Sequence, residues 1–531
     1  MTWGLSRIGA SRAGEVALAN AVSLANSQGI AEPLRTAYLC PMMTGKRKFL
    51  AWLGAIALVL LVFGVWVWHG NPSSRDPAAT TGKQPTLVEI ETETIPSVGL
   101  AKSIGWGSGA PAAAAGLAVS RFAEGLDHPR TMLTLPNGDV LVAETNSPPR
   151  NGGGGGVTGF FMKLFMSRVG AGQASPNKIV LLRDGDGDGK AEQRFILREK
   201  DMDSPSGMAW GAGKLYVANH NAVMSYDFAP GATDLSGEPH KIMDLPGAGN
   251  HWMRNLLLSP DGKKLYAAVG SSSNIGDNGV AAEQGRAAIW EIDVASGKYR
   301  QFANGMRNPN GMGWNPSTGE LWATVQERDM LSPDLVPDYL TTVPVGAQYG
   351  WPWVYWKDVI DWRVQYPMPE FLIEYARKPE YALGAHTAAL GLLFSAGGNR
   401  MGPNYANGAF IARHGSWNRK PLSGYDVVFV SFDANGNPLS KPLPVLTGFL
   451  TAKGNETHGR PVWLTWDKSG ALLVSDDTAG IIWRVEAPGA ALSAAPKPVV
   501  SGHLPPQREL DGDLDRKFRA TIKSDVVQES R

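Results

Sequence analysis

The chain has 531 residues, 43% of them hydrophobic, with 63 glycines, 37 prolines and 18 tryptophans, a mixture suited to many short strands joined by tight turns. A formal net charge of +1 leaves no electrostatic footprint for a nucleic-acid partner. The single cysteine, Cys40, lies upstream of everything that reads as folded, which excludes disulfides, thiolate metal sites, covalent haem and a cysteine nucleophile from the main domain.

Residues 1–48 read as a cytoplasmic tail or as a mis-assigned start, with Met43 and its basic flank making a natural beginning. Residues 49–68, FLAWLGAIALVLLVFGVWVW, form an uncharged apolar run. At about 1.5 Å rise per residue it is long enough to span a hydrocarbon core of about 30 Å. Lys46, Arg47 and Lys48 on its amino side place that end in the cytoplasm by the positive-inside rule. A cleaved signal peptide is the rival reading, but it wants small residues after the apolar core, where Val65, Trp66, Val67 and Trp68 stand. The expectation is a single-pass transmembrane anchor in a bacterial inner membrane, with the remainder in the periplasm. Residues 69–116, rich in Pro, Gly, Ser, Thr and Ala without a sustained period, read as a flexible linker, and 488–531 as a tail.

Between them, over 117–487, one theme recurs. Turn-plus-strand units stand at 136–144 (PNGDVLVAE), 211–219 (GAGKLYVAN), 260–270 (PDGKKLYAAVG), 316–327 (PSTGELWATVQE), 405–415 (YANGAFIARHG) and 468–476 (KSGALLVSD), each after a short apolar run. Such units make β-hairpins. Six at blade-like spacing, with room for two more strands each, predict an all-β, six-bladed β-propeller; a two-sheet sandwich is the alternative.

In a propeller the start of each innermost strand and the end of the next lie on one face. The starts gather Asp127, His128, Arg130, Ser204, Ser206, His251, Arg254, Asn255, Arg307, Asn308, His386, Thr387, His458 and Arg460. The ends gather Glu144, Asn219, His220, Ser271, Gln326, Glu327, Arg328, His414, Asp476 and Asp477. A channel mouth so rich in imidazole and guanidinium suits an anionic ligand and proton transfer. Elsewhere Asp184, Asp186 and Asp188 alternate with glycines before Glu192, a pattern suited to a Ca²⁺ loop, although Phe195 stands where an EF-hand would have Glu; an acidic exposed turn is the alternative. Gly152–Gly156 reads as a flexible insertion. The aromatic run from Trp351 to Trp356 is either a substrate wall or packing, with packing favoured for most of it.

Five motifs together carry a resemblance: RNPNGMGWNPSTGELWATVQERD (307–329), Tyr349-Gly-Trp-Pro352, LGAHTAALGLLF (383–394), GAFIARHGSWNR (408–419) and GRPVWLTWDKSGALLVSDD (459–477). Over roughly 117–485 the chain resembles the glucose/sorbosone dehydrogenase family, and most closely its L-sorbosone-dehydrogenase-like branch. The resemblance implies a six-bladed propeller that uses pyrroloquinoline quinone (PQQ) and Ca²⁺. It implies that His251 is the general base removing a hydroxyl proton while hydride passes to the quinone, and that Arg307 stabilises the charge developing there. Asn308, Thr387 and Arg460 match cofactor contacts, and Arg254 and His458 join the expected set. Backbone carbonyls near Glu327 and Arg328 match the Ca²⁺ site of relatives. The chain departs from the glucose-oxidising pattern at three places: His458 replaces a second Arg, Ser271 an acidic residue, and Glu327-Arg328 a Gly-Pro.

The reading that follows is a membrane-anchored periplasmic dehydrogenase acting on an aldose or related aldehyde or alcohol. Electrons would pass to a separate quinone or cytochrome, since no haem motif is present. A non-catalytic propeller that has lost the cofactor is the alternative. A metal-dependent lactonase-like hydrolase would want a tighter carboxylate-rich cluster than the mouth contains.

Overall fold

The computed structural model describes residues 45–70, 72–73, 75–90, 97–148, 174–247, 249–439 and 441–499; the expected tail before residue 45, the 152–156 insertion and most of the C-terminal tail lie outside them. Two compact units are present, Met1–Gly64 and Val65–Arg531. In the first, a helix begins at Gly45 and continues to His69 in the second, and its described large apolar side chains between Phe49 and Val65 are exposed. Among the described residues no helix is long and apolar enough to cross a membrane, so the anchor expected at 49–68 rests on the sequence.

Among the described residues the second unit holds six antiparallel sheets of four or five strands each. Their inner strands are Pro129–Thr134, Gly207–Gly211, Arg254–Leu258, Asn308–Trp314, Ala389–Phe394 and Pro461–Trp466. Each pairs with the strand of a hairpin predicted from sequence. Those second strands are near-continuous apolar runs because both their faces are covered; Val140–Glu144 and Leu472–Asp476 are buried throughout. Each inner strand touches the next around a closed ring, including the last with the first. This is the six-bladed propeller expected. The sixth blade is completed by Ala118–Ala123, which pairs with Ile481–Glu486 and joins the ends of the domain.

Blades must converge towards the axis, and the sequence meets that demand with small residues and prolines. A Cβ on Gly311 would lie 2.4 Å from the Leu390 carbonyl of the next blade, closer than any contact allows. Pro129, Pro309 and Pro461 fit the inner strands because the channel-side edge has no ladder partner for an N–H. Hydroxyls tie neighbours: Thr131 Oγ1 donates to the Ser206 carbonyl, Thr324 Oγ1 to that of Leu390 (2.6 Å), and Ser475 Oγ to that of Arg130 (2.8 Å). Met253, Leu390 and Val462, from three different blades, pack with Trp252 and Trp463 into an apolar plug on the axis.

The 69–116 stretch departs from a free linker. Thr81–Gly82 adds to the fourth blade, Ala112–Ala113 to the fifth, and Lys102–Ser103 pairs in parallel with Glu456–Thr457. These short pieces are held by edge pairing and by single aromatic anchors, which leave no periodic signal in the sequence.

Candidate active site

His251 sits three residues before the inner strand Arg254–Leu258, in a loop that Arg254 fastens. The Arg254 guanidinium is fully buried and donates to the carbonyls of His251 (2.7 Å), Met253 (3.0 Å) and Pro246 (2.7 Å). Burial and nearby Arg286 lower its pKa to about 9. The side chain therefore positions the loop; its hydrogen bonds run to backbone and not into the mouth.

The tautomer of His251 follows from its partners. Ser271 Oγ donates its proton to the Ser273 carbonyl (2.7 Å), so towards His251 Nδ1 it can only accept, as does the Ser271 carbonyl, each at 2.9 Å. Nδ1 thus carries the hydrogen and Nε2 keeps the lone pair. Burial first, and the Arg307 charge second, hold this imidazole well below its ordinary pKa, so it is a neutral acceptor at neutral pH. Gly270 makes room: a Cβ there would fall 2.2 Å from Asn308 Oδ1 and 2.6 Å from His251 Cβ.

Arg307 is held on every side. Its Nε donates to the Asn274 carbonyl, Nη1 to the Glu327 carbonyl (2.6 Å), and Nη2 to Asn274 Oδ1 and Asp329 Oδ2 (2.9 Å). Burial works against the charge of Asp329, but Arg307 and His386 hold its carboxyl at about 2. His386 directs Nε2 to the Ser332 carbonyl (2.9 Å) and Nδ1 to Asp329 (3.4 Å). Burial lowers its pKa and Asp329 raises it, and the net shift is upward. Thr387 Oγ1 donates to Asp338 (3.2 Å), whose carboxyl burial pushes up to about 6. Asn308 donates Nδ2 to Gln326 (2.9 Å).

A second constellation surrounds Asp477. It accepts from Arg130 and from His414 Nε2 (3.0 Å), with His128 Nε2 at 4.0 Å. Burial opposes its charge, yet His414 and Arg130 keep the carboxyl well below the ordinary range. His414 itself is lowered to about 3 by burial and by Arg460, so it is a neutral donor to Asp477. Arg460 donates to the carbonyls of His414 (3.0 Å) and Gly415 (2.8 Å). Arg130 crosses from the first blade to lie over Trp252 of the third, which places it above the plug. His128, one residue before its inner strand, and His386, three residues before its own, are held in the left-handed region at φ 55° and 56°, the kind of local strain that clusters at functional sites.

The remaining expected residues fall elsewhere. His458 is covered by the 97–116 segment: its Nδ1 faces the Gly105 carbonyl (2.7 Å) and its ring stacks on Trp106 at 4.9 Å. Arg328 is fully buried and directs its guanidinium to Glu327, Asp361 and the carbonyls of Pro352 and Val354, away from any ligand. Because the Glu327 carbonyl already accepts from Arg307, a cation placed on it would lie against a guanidinium; this carbonyl does not fit Ca²⁺ as it stands. Asp184, Asp186 and Asp188 meet Glu192 with one oxygen from each within 4.8 Å, in the hairpin loop between Lys178–Arg183 and Gln193–Arg198. Sequence reasoning missed Asp329, Asp338 and Glu283. Asp329 closes the motif at 307–329, and a charge three residues beyond the end of Leu321–Gln326 was the available signal.

A family model described as TrAA12-like matches residues 177–337 and 373–488, more than half of the chain. The chain belongs to the TrAA12-like family. The resemblance to PQQ-using sugar dehydrogenases thus holds at the level of family. The chain is 36% identical over 127 residues to the pyrroloquinoline quinone-dependent pyranose dehydrogenase of Coprinopsis cinerea, a match covering 21% of this chain and 16% of that protein. The PQQ domain of the Coprinopsis pyranose dehydrogenase, in holo form, superposes with a TM-score of 0.55 at 20% identity, covering 73% of this chain and 100% of the domain. The Trichoderma reesei member of carbohydrate-active enzyme family AA12 superposes at 0.57 and 21% identity, covering 71% and 98%. These two structures establish the fold shared by the TrAA12-like chain.

Proposed function

We propose that the chain is a PQQ-dependent dehydrogenase that oxidises an aldose or a related aldehyde or alcohol. The observation that carries the reading is His251, with Nδ1 fixed by Ser271, Nε2 left as a lone pair and Arg307 beside it at the channel mouth. The Coprinopsis relative, PQQ-dependent by name, supports it.

The residues at the mouth fit a planar polycarboxylate. Among the described residues, Arg130 Nε and Asn308 Oδ1 are buried without a hydrogen-bond partner. Leaving such an atom unmet costs about 1–3 kcal/mol, which a bound ligand with matching groups recovers. Arg130 and Arg460 would hold the cofactor's carboxylates, and Asn308 would orient it. Bound PQQ supplies an ortho-quinone that takes up a hydride equivalent. His251 Nε2 accepts the hydroxyl proton of the substrate as that hydride leaves carbon, so one proton and one hydride account for the oxidation. Arg307, locked by four hydrogen bonds, offers a fixed positive charge where negative charge develops.

We place Ca²⁺ at the Asp184 loop as a structural clasp, since its oxygen donors suit that ion. The apolar run at 49–68 is proposed to anchor the chain in the inner membrane with the propeller in the periplasm, electrons leaving to a membrane quinone or a cytochrome. Protease added to spheroplasts should cleave the propeller; protection would reverse this topology. The activity itself is tested by adding PQQ and Ca²⁺ to the purified protein and following dye reduction with a panel of sugars. Cofactor-dependent turnover is expected, and the absence of both PQQ binding and turnover would overturn the reading.

A further inference from the structure

Beside the mouth lies a cleft of about 480 Å³, within the range of small-ligand pockets, formed between the loop at 276–287 and the segment at 348–366. One wall is aromatic: Trp351, Trp353 and Tyr366. Two of these rings are fixed in place, Trp351 Nε1 donating to the Asn274 carbonyl and Trp353 Nε1 to the Tyr366 carbonyl, each at 3.0 Å. Trp351 is buried behind the wall, so the apolar face on offer is that of Trp353, with the half-buried ring of Tyr366 beside it. Gln301, Asn304 and Gln348 supply amides, groups that both donate and accept. Glu283, the one carboxylate among the lining residues, is engaged by Ser272 and Ser273, and its charge lies beside that of Arg286, so the wall carries no net charge.

Flat apolar faces with neutral amides around them match a ring that is apolar on its C–H face and carries hydroxyls at its rim. We propose that this cleft binds a second pyranose unit, so that the substrate is a linked sugar whose terminal ring reaches His251. The proposal rests on the sugar-dehydrogenase reading of the mouth. Two paths through the protein link the walls of the two sites. The Asn274 carbonyl that accepts from Trp351 also accepts from Arg307 Nε (3.1 Å), and Glu283 holds the serines that lead back to Ser271 and His251. Asn304 on the cleft wall is also only three residues before Arg307.

The test is tryptophan fluorescence and calorimetric titration of the full chain, without PQQ, with ladders of one to four linked glucose, mannose or xylose units. At least one ladder should tighten about tenfold or more from one unit to two. That gain should vanish in Trp353→Ala, and also in Gln301→Trp, which fills the cleft from an exposed position without removing core packing. Absence of length dependence in every ladder would overturn the proposal, as would a length dependence that both variants leave intact. Binding is read without turnover, so a protein that binds longer sugars but never reduces dye would sink the dehydrogenase reading and keep the cleft. Turnover of single sugars with no length dependence would do the reverse.

Discussion

At the residue scale, the absent acidic partner of His251 is replaced by the carbonyl and hydroxyl of Ser271, in a serine loop that Glu283 holds. Ser271 Oγ is oriented by the Ser273 carbonyl, and Ser273 Oγ and Ser272 both donate to Glu283. The carboxylate thus braces the loop that carries Ser271 and does not touch the imidazole. Glu283→Gln should lower kcat about tenfold with the affinity for PQQ unchanged, as outer partners of a reacting group typically do. Ser273→Ala should do the same, and the double variant should add little, because the two act along one chain; steady-state kinetics on the four proteins check this. The His386–Asp329 pair makes a statement about pH. The folded pKa of His386 is raised, so its contribution is fully present below 6.5 and is lost as pH rises through the folded value. His386→Asn should therefore cost about 3 kcal/mol at pH 5.5, as breaking a buried pair does, and less at pH 9, measured by denaturant unfolding. His251 and Arg307 were legible because a short motif fixes them to the start of an inner strand. Asp329, Asp338 and Glu283 were not, because each finds its partner through a loop whose path no local pattern specifies.

At the element scale, the hairpins were legible because each is a turn between two apolar runs, and both of a second strand's faces must be covered. The outer strands are short and partly exposed, and their polar residues blur the alternation; Gln193–Arg198 and Tyr299–Asn304 are examples. Composition predicts a flexible linker over 69–116, yet within it Trp106 donates to Asp476 (2.8 Å) and stacks on His458. One tryptophan in a Gly- and Ala-rich stretch carries no period, so its docking depends on the surface it meets. The inner strands give a sharp test of close approach. Gly311→Val should destabilise the protein by at least about 1–3 kcal/mol in a urea titration, since any Cβ there meets the Leu390 carbonyl. The Asp184 loop gives a second test. Ca²⁺ at millimolar concentration should raise the melting temperature of the wild type and leave that of Asp184→Asn unchanged; equal shifts would remove the ion from this loop.

At the scale of the whole molecule, the ring is closed by a strand that precedes it. Ala118–Ala123 completes the sixth blade, and Phe122 is buried there. A chain beginning at residue 70 should fold cooperatively, whereas one beginning at 124 should expose the edge of Ile481–Glu486 and associate, as size-exclusion chromatography and thermal unfolding would show. Closure also fixes the distances across the mouth, bringing Arg130 of the first blade over Trp252 of the third. The central claim is that this mouth holds PQQ and that His251 removes the proton of a sugar hydroxyl. The most direct measurement compares wild type and His251→Ala, each reconstituted with PQQ and shown by absorbance to retain it, in dye reduction with a panel of sugars. Cofactor occupancy should match in the two proteins while turnover in the variant falls by about 10²–10⁴-fold. Equal rates in the two, or no sugar-dependent reduction by a PQQ-loaded wild type, would contradict the account.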